Sequence, residues 1–188
     1  MMDMLKKKYQ DLKKYKYTLK RERSVYFIQI YRIIDMLFIK TSPNFMYSWR
    51  VFIYELFGAK IGKGVRINSS AKLLYPWNIE IGNYCWIGNN VELYSVNKII
   101  IGDNVAFAHN IFVATAAHNV ESSSFPTISD QVIFKDEVWI SGNVFINMGV
   151  VINKGVVVGS GSIVTKDLPV GYICLGNPAK PIKKRLTK

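Results

Sequence analysis

From Phe134 onward an apolar residue returns at every sixth position, at Phe134, Ile140, Ile146, Ile152, Val158 and Val164, while Val138, Val144, Val150 and Val156 hold a second, offset series. A helix repeats its apolar face about every 3.6 residues and a strand about every 2. Two interleaved series locked to a period of six therefore exclude a lone helix or a lone strand and fit a solenoid. The same beat runs upstream through Ile61, Ile67 and Leu73, then Ile81, Ile87 and Leu93, then Ile101, Phe107 and Val113. Val65, Ala71, Cys85, Val91, Val105 and Ile111 each stand four residues after an inward position. Each hexad reads as one short strand plus one corner, and three hexads close a triangular coil of about 18 residues that stacks on the next at roughly 4.8 Å. A single coil cannot bury its apolar face, so the repeats must accumulate; the span from Ile61 to residue 168 holds about five coils.

What precedes the repeats has a different character. The chain carries a formal net charge of +12, and residues 1–24 hold nine of its Lys and Arg residues (Lys6, Lys7, Lys8, Lys13, Lys14, Lys16, Lys20, Arg21 and Arg23) against Asp3, Asp11 and Glu22. Such a segment, interleaved with Tyr9, Tyr15 and Tyr17, suits a solvated helix, the surface of an anionic membrane or nucleic acid. From Ser24 to Ile39, Phe27, Ile30, Ile34 and Leu37 keep helical spacing, in a stretch too short and too polar to span a bilayer, which needs about 20 apolar residues. It reads as a cap on the open edge of the first coil, with an interfacial amphipathic helix as the competing reading. A second helix is predicted over 47–57, with Trp49, Phe52, Ile53 and Leu56 on one side, stopped by Gly58. The expected organisation is a helical, basic extension over 1–57, a repeat domain over 58–168 and a basic tail over 169–188.

The longest failure of the beat lies between Val113 and Phe134, where polar, turn-rich residues predict a loop over 114–133 that projects from the coil. Rigid scaffolds present reactive groups on such loops. His118 stands at its base, and an imidazole takes up and returns protons near neutral pH. His109, two residues after Phe107 in an unbroken hexad, is expected to point outward as a surface residue. The two histidines fall short of a three-histidine zinc site, and no Cys/His cluster suggests another metal. Cys85 falls on an inward position, so the two cysteines read as structural in a reducing compartment.

Several motifs in fixed order carry a family resemblance: the hexads, Phe57-Gly58-Ala59-Lys60-Ile61-Gly62, Val138-Trp139-Ile140, the stretch Gly159 to Asp167, and Gly176-Asn177-Pro178-Ala179. Together they resemble the hexapeptide-repeat O-acetyltransferases over about residues 45–185, in particular the colanic-acid and surface-polysaccharide branch near the galactoside and maltose acetyltransferases. The resemblance implies a mainly β protein, a left-handed parallel β-helix, assembled as a homotrimer with active sites between subunits. It also implies acetyl-coenzyme A as co-substrate, no metal, and direct acetyl transfer to a hydroxyl with His118 as general base. The γ-class carbonic anhydrases share the β-helix but need three histidines.

Carried over residue by residue, the resemblance implies that Trp139 flanks the pantetheine arm and that Ser141 and Gly142 meet it through backbone. Gly159, Ser160 and Gly161 would allow its close approach, Thr165 and Lys166 would lie near adenine, and Lys180 and Lys183 near phosphates, where the family commonly has arginine. Tyr94, Ser95 and Asn97, in a short interruption after Leu93, would meet the acceptor. The chain departs from the family at Asn119, at Ala116-Ala117 and at Met148, which bears on the acceptor's identity and not on the reaction type. The function expected is O-acetylation of a sugar in a bacterial surface polysaccharide or its nucleotide- or lipid-linked precursor. It would take place in the cytoplasm or at the inner membrane face, with no nucleic-acid partner. The competing readings are N-acetylation of an amino sugar or small amine, and a non-catalytic β-helical scaffold. An orienting partner for His118 is left open between the Glu121 carboxylate and a backbone carbonyl.

Overall fold

The hexads close into coils because each inward apolar residue sits on a two- or three-residue strand, and each second-series residue fills the corner behind it. In the computed structural model, which describes residues 9–19 and 22–186, the three strands of every coil fall on three separate parallel sheets. Face A stacks Lys60–Ile61, Ile79–Ile81, Ile99–Ile101, Val132–Phe134 and Val151–Ile152. Face B stacks Arg66–Ile67, Trp86–Ile87, Ala106–Phe107, Trp139–Ile140 and Val157–Val158, and face C stacks Lys72–Leu73, Glu92–Tyr94, Phe112–Ala114, Phe145–Ile146 and Ile163–Val164. The result is a left-handed parallel β-helix of five coils, the solenoid that the six-residue period predicts with the hand that the family resemblance implies. Both series point inward, and from Phe134 to Val164 every member is at most 2% exposed.

Register shows where the coils lengthen. Lys60 pairs with Glu80 and Glu80 with Ile100, a step of 20 residues, whereas Ile133 pairs with Val151, the 18 of three perfect hexads. The extra residues sit at the corner between faces C and A, first as the helical turn Pro76–Asn78 and then as Ser95–Asn97. At the corner between faces B and C, Asn90, Asn110 and Asn143 adopt left-handed φ values of 53°, 54° and 59°. Asparagine tolerates that conformation better than other side chains with a Cβ. The amides form a ladder, Asn90 Nδ2 donating to Asn110 Oδ1 at 3.1 Å and Asn110 Nδ2 to Asn143 Oδ1 at 3.2 Å. In the same corner a Cβ on Gly88 would overlap the Ala108 carbonyl oxygen, so only glycine fits there.

Two helices cover the open end of the first coil. Helix α1 (Val25–Ile34) starts at Ser24, whose hydroxyl accepts from the Phe27 N–H, and runs on into a π-helical turn, Asp35–Ile39; helix α2 spans Tyr47–Leu56. Tyr31 donates through its hydroxyl to the Leu73 carbonyl, and the fully buried Arg50 donates to the carbonyls of Ile67, Pro43 and Asn44 and to Ser42 Oγ. The apolar stripes read from sequence are each split. Phe27, Ile34 and Ile53 face the coil, whereas Ile30, Leu37, Trp49, Phe52 and Leu56 remain exposed. Periodicity sees one wide apolar arc on each helix; the structure uses half of it.

Between residues 169 and 186 the chain adds a further hairpin to the solenoid. Tyr172–Gly176 adds a parallel strand to face B, and Ala179–Lys184 folds back antiparallel along it. Cys85 and Cys174 are both free and buried, and burial raises both thiols above their ordinary range, consistent with inert core positions.

Candidate active site

The chain leaves the solenoid at the third coil. Buried Thr115 anchors the departure: its hydroxyl donates to the Tyr94 carbonyl at 2.7 Å and accepts from the Asn97 N–H at 2.9 Å, while its carbonyl accepts from the Asp130 N–H. In place of an irregular loop, Ala116–His118 pairs antiparallel with Thr127–Ser129, setting His118 opposite Thr127. The imidazole is exposed and held on two sides. Its Nδ1 lies 3.0 Å from the Phe125 carbonyl oxygen, and the Phe125 ring stacks on it with centroids 4.3 Å apart and planes within 7°. A carbonyl only accepts, so in the neutral ring Nδ1 carries the hydrogen and Nε2 presents the lone pair. The choice left open by sequence thus falls to a backbone carbonyl; Glu121 instead has its own N–H bound by Asn119 Oδ1.

The stretch from Asp11 to Thr18 lies across this hairpin. The Asp11 N–H donates to the Ser123 carbonyl at 2.7 Å, Tyr15 Oη and Thr127 Oγ1 are 2.9 Å apart, and Thr18 Oγ1 donates to the Thr127 carbonyl. The Tyr15 ring meets His118 edge-on at 5.8 Å. No sequence signal marks Tyr15, because its partners are more than 100 positions away.

Among the three residues expected to meet an acceptor, two serve the framework. Ser95 is fully buried, with its hydroxyl spanning the N–H and carbonyl of Tyr75 at 3.0 and 3.1 Å. Asn97 ties the hairpin base, its amide donating to Ser129 Oγ and its Oδ1 accepting from the Lys98 N–H. Tyr94 is half-buried and heads an aromatic column on face C, stacked on Phe112 at 5.9 Å, with Phe145 a further 5.3 Å along.

The residues expected at a donor site divide between two edges of the prism. On face B, Trp139, Val157, Ile173 and Lys183 are paired in one register, so about 14 Å separates the first from the last at strand spacing. Lys180 lies opposite Leu175 on the same terminal hairpin. Ser141 and Gly142 form the adjoining corner between faces B and C, with Gly159, Ser160 and Gly161 stacked one coil on; the Gly161 N–H donates to the Gly142 carbonyl at 3.1 Å. A Cβ on Gly142 would come within 2.7 Å of the His109 ring, so this edge admits close approach only without a side chain. His109 itself is exposed, as its hexad position predicts. Thr165 and Lys166 follow Ile163–Val164 and so lie at the other edge, between faces C and A, from which the His118 hairpin departs.

No protein-family model matches the chain. It is 36% identical over 159 residues to the Escherichia coli K12 protein named "Putative colanic acid biosynthesis acetyltransferase WcaF", covering 85% of this chain and 87% of that one. The chain belongs to the hexapeptide-repeat acetyltransferases. Among solved structures of that family, a maltose O-acetyltransferase from Clostridium difficile 630 superimposes with a TM-score of 0.73 at 30% identity, covering 87% of this chain and 88% of the other. A galactoside acetyltransferase in complex with coenzyme A superimposes with a TM-score of 0.76 at 26% identity, covering 88% and 86%.

As a hexapeptide-repeat acetyltransferase the protein is an enzyme, an acyltransferase. Its face B carries a feature missed by the sequence reading, a groove of about 730 Å³ lined by Tyr47, Arg66, Tyr84 and Trp86. The Arg66 guanidinium lies 5.5 Å over the Trp86 ring and 6.0 Å from that of Tyr47. A neighbouring hollow shares Tyr47, Arg66 and Trp86 and continues to His109, beside Gly142. A signal for it did exist, since Trp86 precedes inward Ile87 as Trp139 precedes inward Ile140. Among the described residues, no group of three or more His, Cys, Asp or Glu could hold a metal ion, and no helix is long and apolar enough to cross a membrane.

Proposed function

We propose that the protein transfers an acetyl group from acetyl-coenzyme A to a sugar hydroxyl of a bacterial surface polysaccharide or its nucleotide- or lipid-linked precursor, with His118 as general base. The observation that carries this reading is the Nδ1–Phe125 carbonyl pairing, which leaves Nε2 of an exposed imidazole as a proton acceptor. The acceptor hydroxyl attacks the thioester carbonyl carbon while Nε2 takes its proton. The tetrahedral intermediate collapses with cleavage of the carbon–sulfur bond, and the same proton passes to the departing thiolate. No acyl-enzyme is needed.

The donor reading rests on fit. Trp139 offers an exposed aromatic face, Ser160 and Gly161 expose the corner that overlies the buried Ser141 and Gly142, and Lys183 supplies a cation about 14 Å further on, a spacing suited to a long anionic thioester. The E. coli relative, named for colanic acid biosynthesis, and the galactoside acetyltransferase bound to coenzyme A support polysaccharide acceptor and donor respectively. Because His118 and the Gly142 edge lie at different corners of one prism, the site is assigned to the junction between neighbouring copies in a homotrimer. The aromatic groove around Trp86, and Tyr94 beside the hairpin, are assigned to the acceptor. A cytoplasmic setting follows from the donor, and the basic N-terminus is assigned a peripheral contact with the inner membrane face.

The test is thiol release from acetyl-coenzyme A in the presence of nucleotide- and lipid-linked saccharides. His118→Ala is expected to lower kcat at least about a hundredfold while circular dichroism and oligomeric state stay unchanged. Full turnover in that variant overturns the assignment. Alkali-labile acetyl in the product identifies an ester; an alkali-stable product makes the enzyme an N-acetyltransferase.

A further inference from the structure

We infer that the face-B groove holds a diphosphate subsite built on Arg66, so that the acceptor arrives as a nucleoside diphosphate sugar, an inference that rests on the acetyl-transfer reading. Each face of the prism carries an outward cation on its first strand: Lys60 on face A, Arg66 on face B and Lys72 on face C. Register sets Glu80 beside Lys60 and Glu92 beside Lys72, and both pairs close as salt bridges, at 2.9 and 3.0 Å. On face B the same register position holds Trp86 instead of an acid. Among the described residues no carboxylate pairs with Arg66, and neither hollow that it lines contains an Asp or Glu. The exposed guanidinium is nonetheless positioned, between the rings of Trp86 and Tyr47. Such stacking restrains the cation while leaving its N–H fork for two phosphoryl oxygens.

The neighbours of Arg66 run in the order of a nucleotide sugar. Trp86 has Arg66 on one side and Ala106 on the other, and Trp139 follows Ala106. The small Ala106 side chain therefore opens a gap of two strand spacings, about 9.6 Å, between two exposed indoles. A hexose laid there with its C–H face on Trp86 stands between Arg66 and the indole proposed to flank the thioester. At the other end of the groove Tyr47, the first residue of α2, and Tyr84 offer two more rings.

Tyr84 stands at a corner that takes a left-handed φ in every coil. Gly64, Asn104 and Gly155 fill it in the first, third and fifth coils, and Glu137, paired with Lys154, in the fourth. Glycine and asparagine tolerate that backbone, whereas a bulky ring strains it, yet Tyr84 holds a φ of 58° with its side chain 62% exposed. Base, diphosphate and sugar then succeed one another from the two phenols through Arg66 to Ala106. A lipid-linked diphosphate would leave the phenols with no ring to stack on, and a free polysaccharide would leave Arg66 with no anion. The groove's volume of about 730 Å³ falls in the range of small-molecule sites.

The experiment is isothermal titration calorimetry of the full chain with UDP, GDP, dTDP and farnesyl diphosphate, in the presence of saturating coenzyme A so that the donor's own adenosine diphosphate seat is filled. At least one nucleoside diphosphate is expected to bind, and more tightly than farnesyl diphosphate. Arg66→Gln is expected to weaken it about tenfold or more, with Arg66→Lys recovering only part of the loss. Tyr84→Asn is expected to weaken it about fivefold or more without lowering the melting temperature, and neither variant should change the affinity for coenzyme A. No nucleotide binding, nucleotide affinity unmoved by Arg66→Gln, or farnesyl diphosphate binding as tightly as the best nucleotide overturns the proposal. Thiol release with a lipid-linked saccharide that is insensitive to Arg66→Gln likewise removes the subsite and leaves acetyl transfer standing. Nucleotide binding through Arg66 with no thiol release for any saccharide keeps the subsite and removes the acetyl-transfer reading.

Discussion

The His118 ring is exposed, so its usefulness as a base depends on which nitrogen is bare. Phe125 settles that through one carbonyl, at a backbone φ of +50°, and its ring covers one side of the imidazole. Tyr15 limits the ring from its edge. If Tyr15 positions the imidazole, Tyr15→Phe should preserve kcat, because the ring contact survives, while Tyr15→Ala should lower kcat about tenfold with little change in the KM for acetyl-coenzyme A. Steady-state kinetics of the two variants check this; equal losses would move the role from ring to hydroxyl. His118, as the base of an exposed loop, was legible in sequence because the hexad beat fails around it. The framework bonds of Ser95 and Asn97 were not legible for a related reason: the interruption they occupy is a corner with its own hydrogen bonds, and polarity alone does not separate a framework serine from a ligand-facing one.

At the scale of elements, the helical cap depends on Arg50. Among the described residues no carboxylate pairs with its guanidinium, which is spread over three carbonyls and a hydroxyl, with burial lowering its pKa only against a large intrinsic basicity, so it stays charged. Arg50→Met should cost about 3 kcal/mol by leaving those carbonyls unpaired, lowering the melting temperature by about 10 °C in calorimetry. Asp35 acts in the opposite sense. Burial raises its carboxyl above the ordinary range, with Lys40 pulling it down by a smaller amount. The folded chain therefore binds this proton more tightly than the unfolded chain. Its stabilising contribution is present below the unfolded pKa and is lost as pH rises through the folded one. Asp35→Asn should accordingly melt higher than the parent at pH ~7.5, with the gap closing toward pH ~4, in paired thermal scans. The helices themselves were readable from periodicity. Which half of each apolar arc meets the coil was not, since both halves are equally apolar.

For the whole molecule, the decisive property is that His118 and the glycine-lined edge proposed to hold the donor occupy different corners. If each site takes one edge from each of two neighbours, two inactive variants should complement. Mixing His118→Ala with Gly142→Trp subunits, unfolded and reassembled together, should restore roughly a quarter of the sites, read as thiol release; no recovery would place both edges in one chain's site. The sequence by itself determined the coil, because a period of six fixes which residues are inward and how many make a turn, and a solenoid's contacts run only to its neighbours. It also marked where the chain departs from the coil. Only the tertiary structure decided what the departures do: the bond that orients His118, the strap bearing Tyr15, the burial of Ser95 and the unpartnered face of the helices. Those depend on contacts between segments far apart in sequence, which leave no period behind, whereas the repeats contact their own next turn and so write their geometry into the chain.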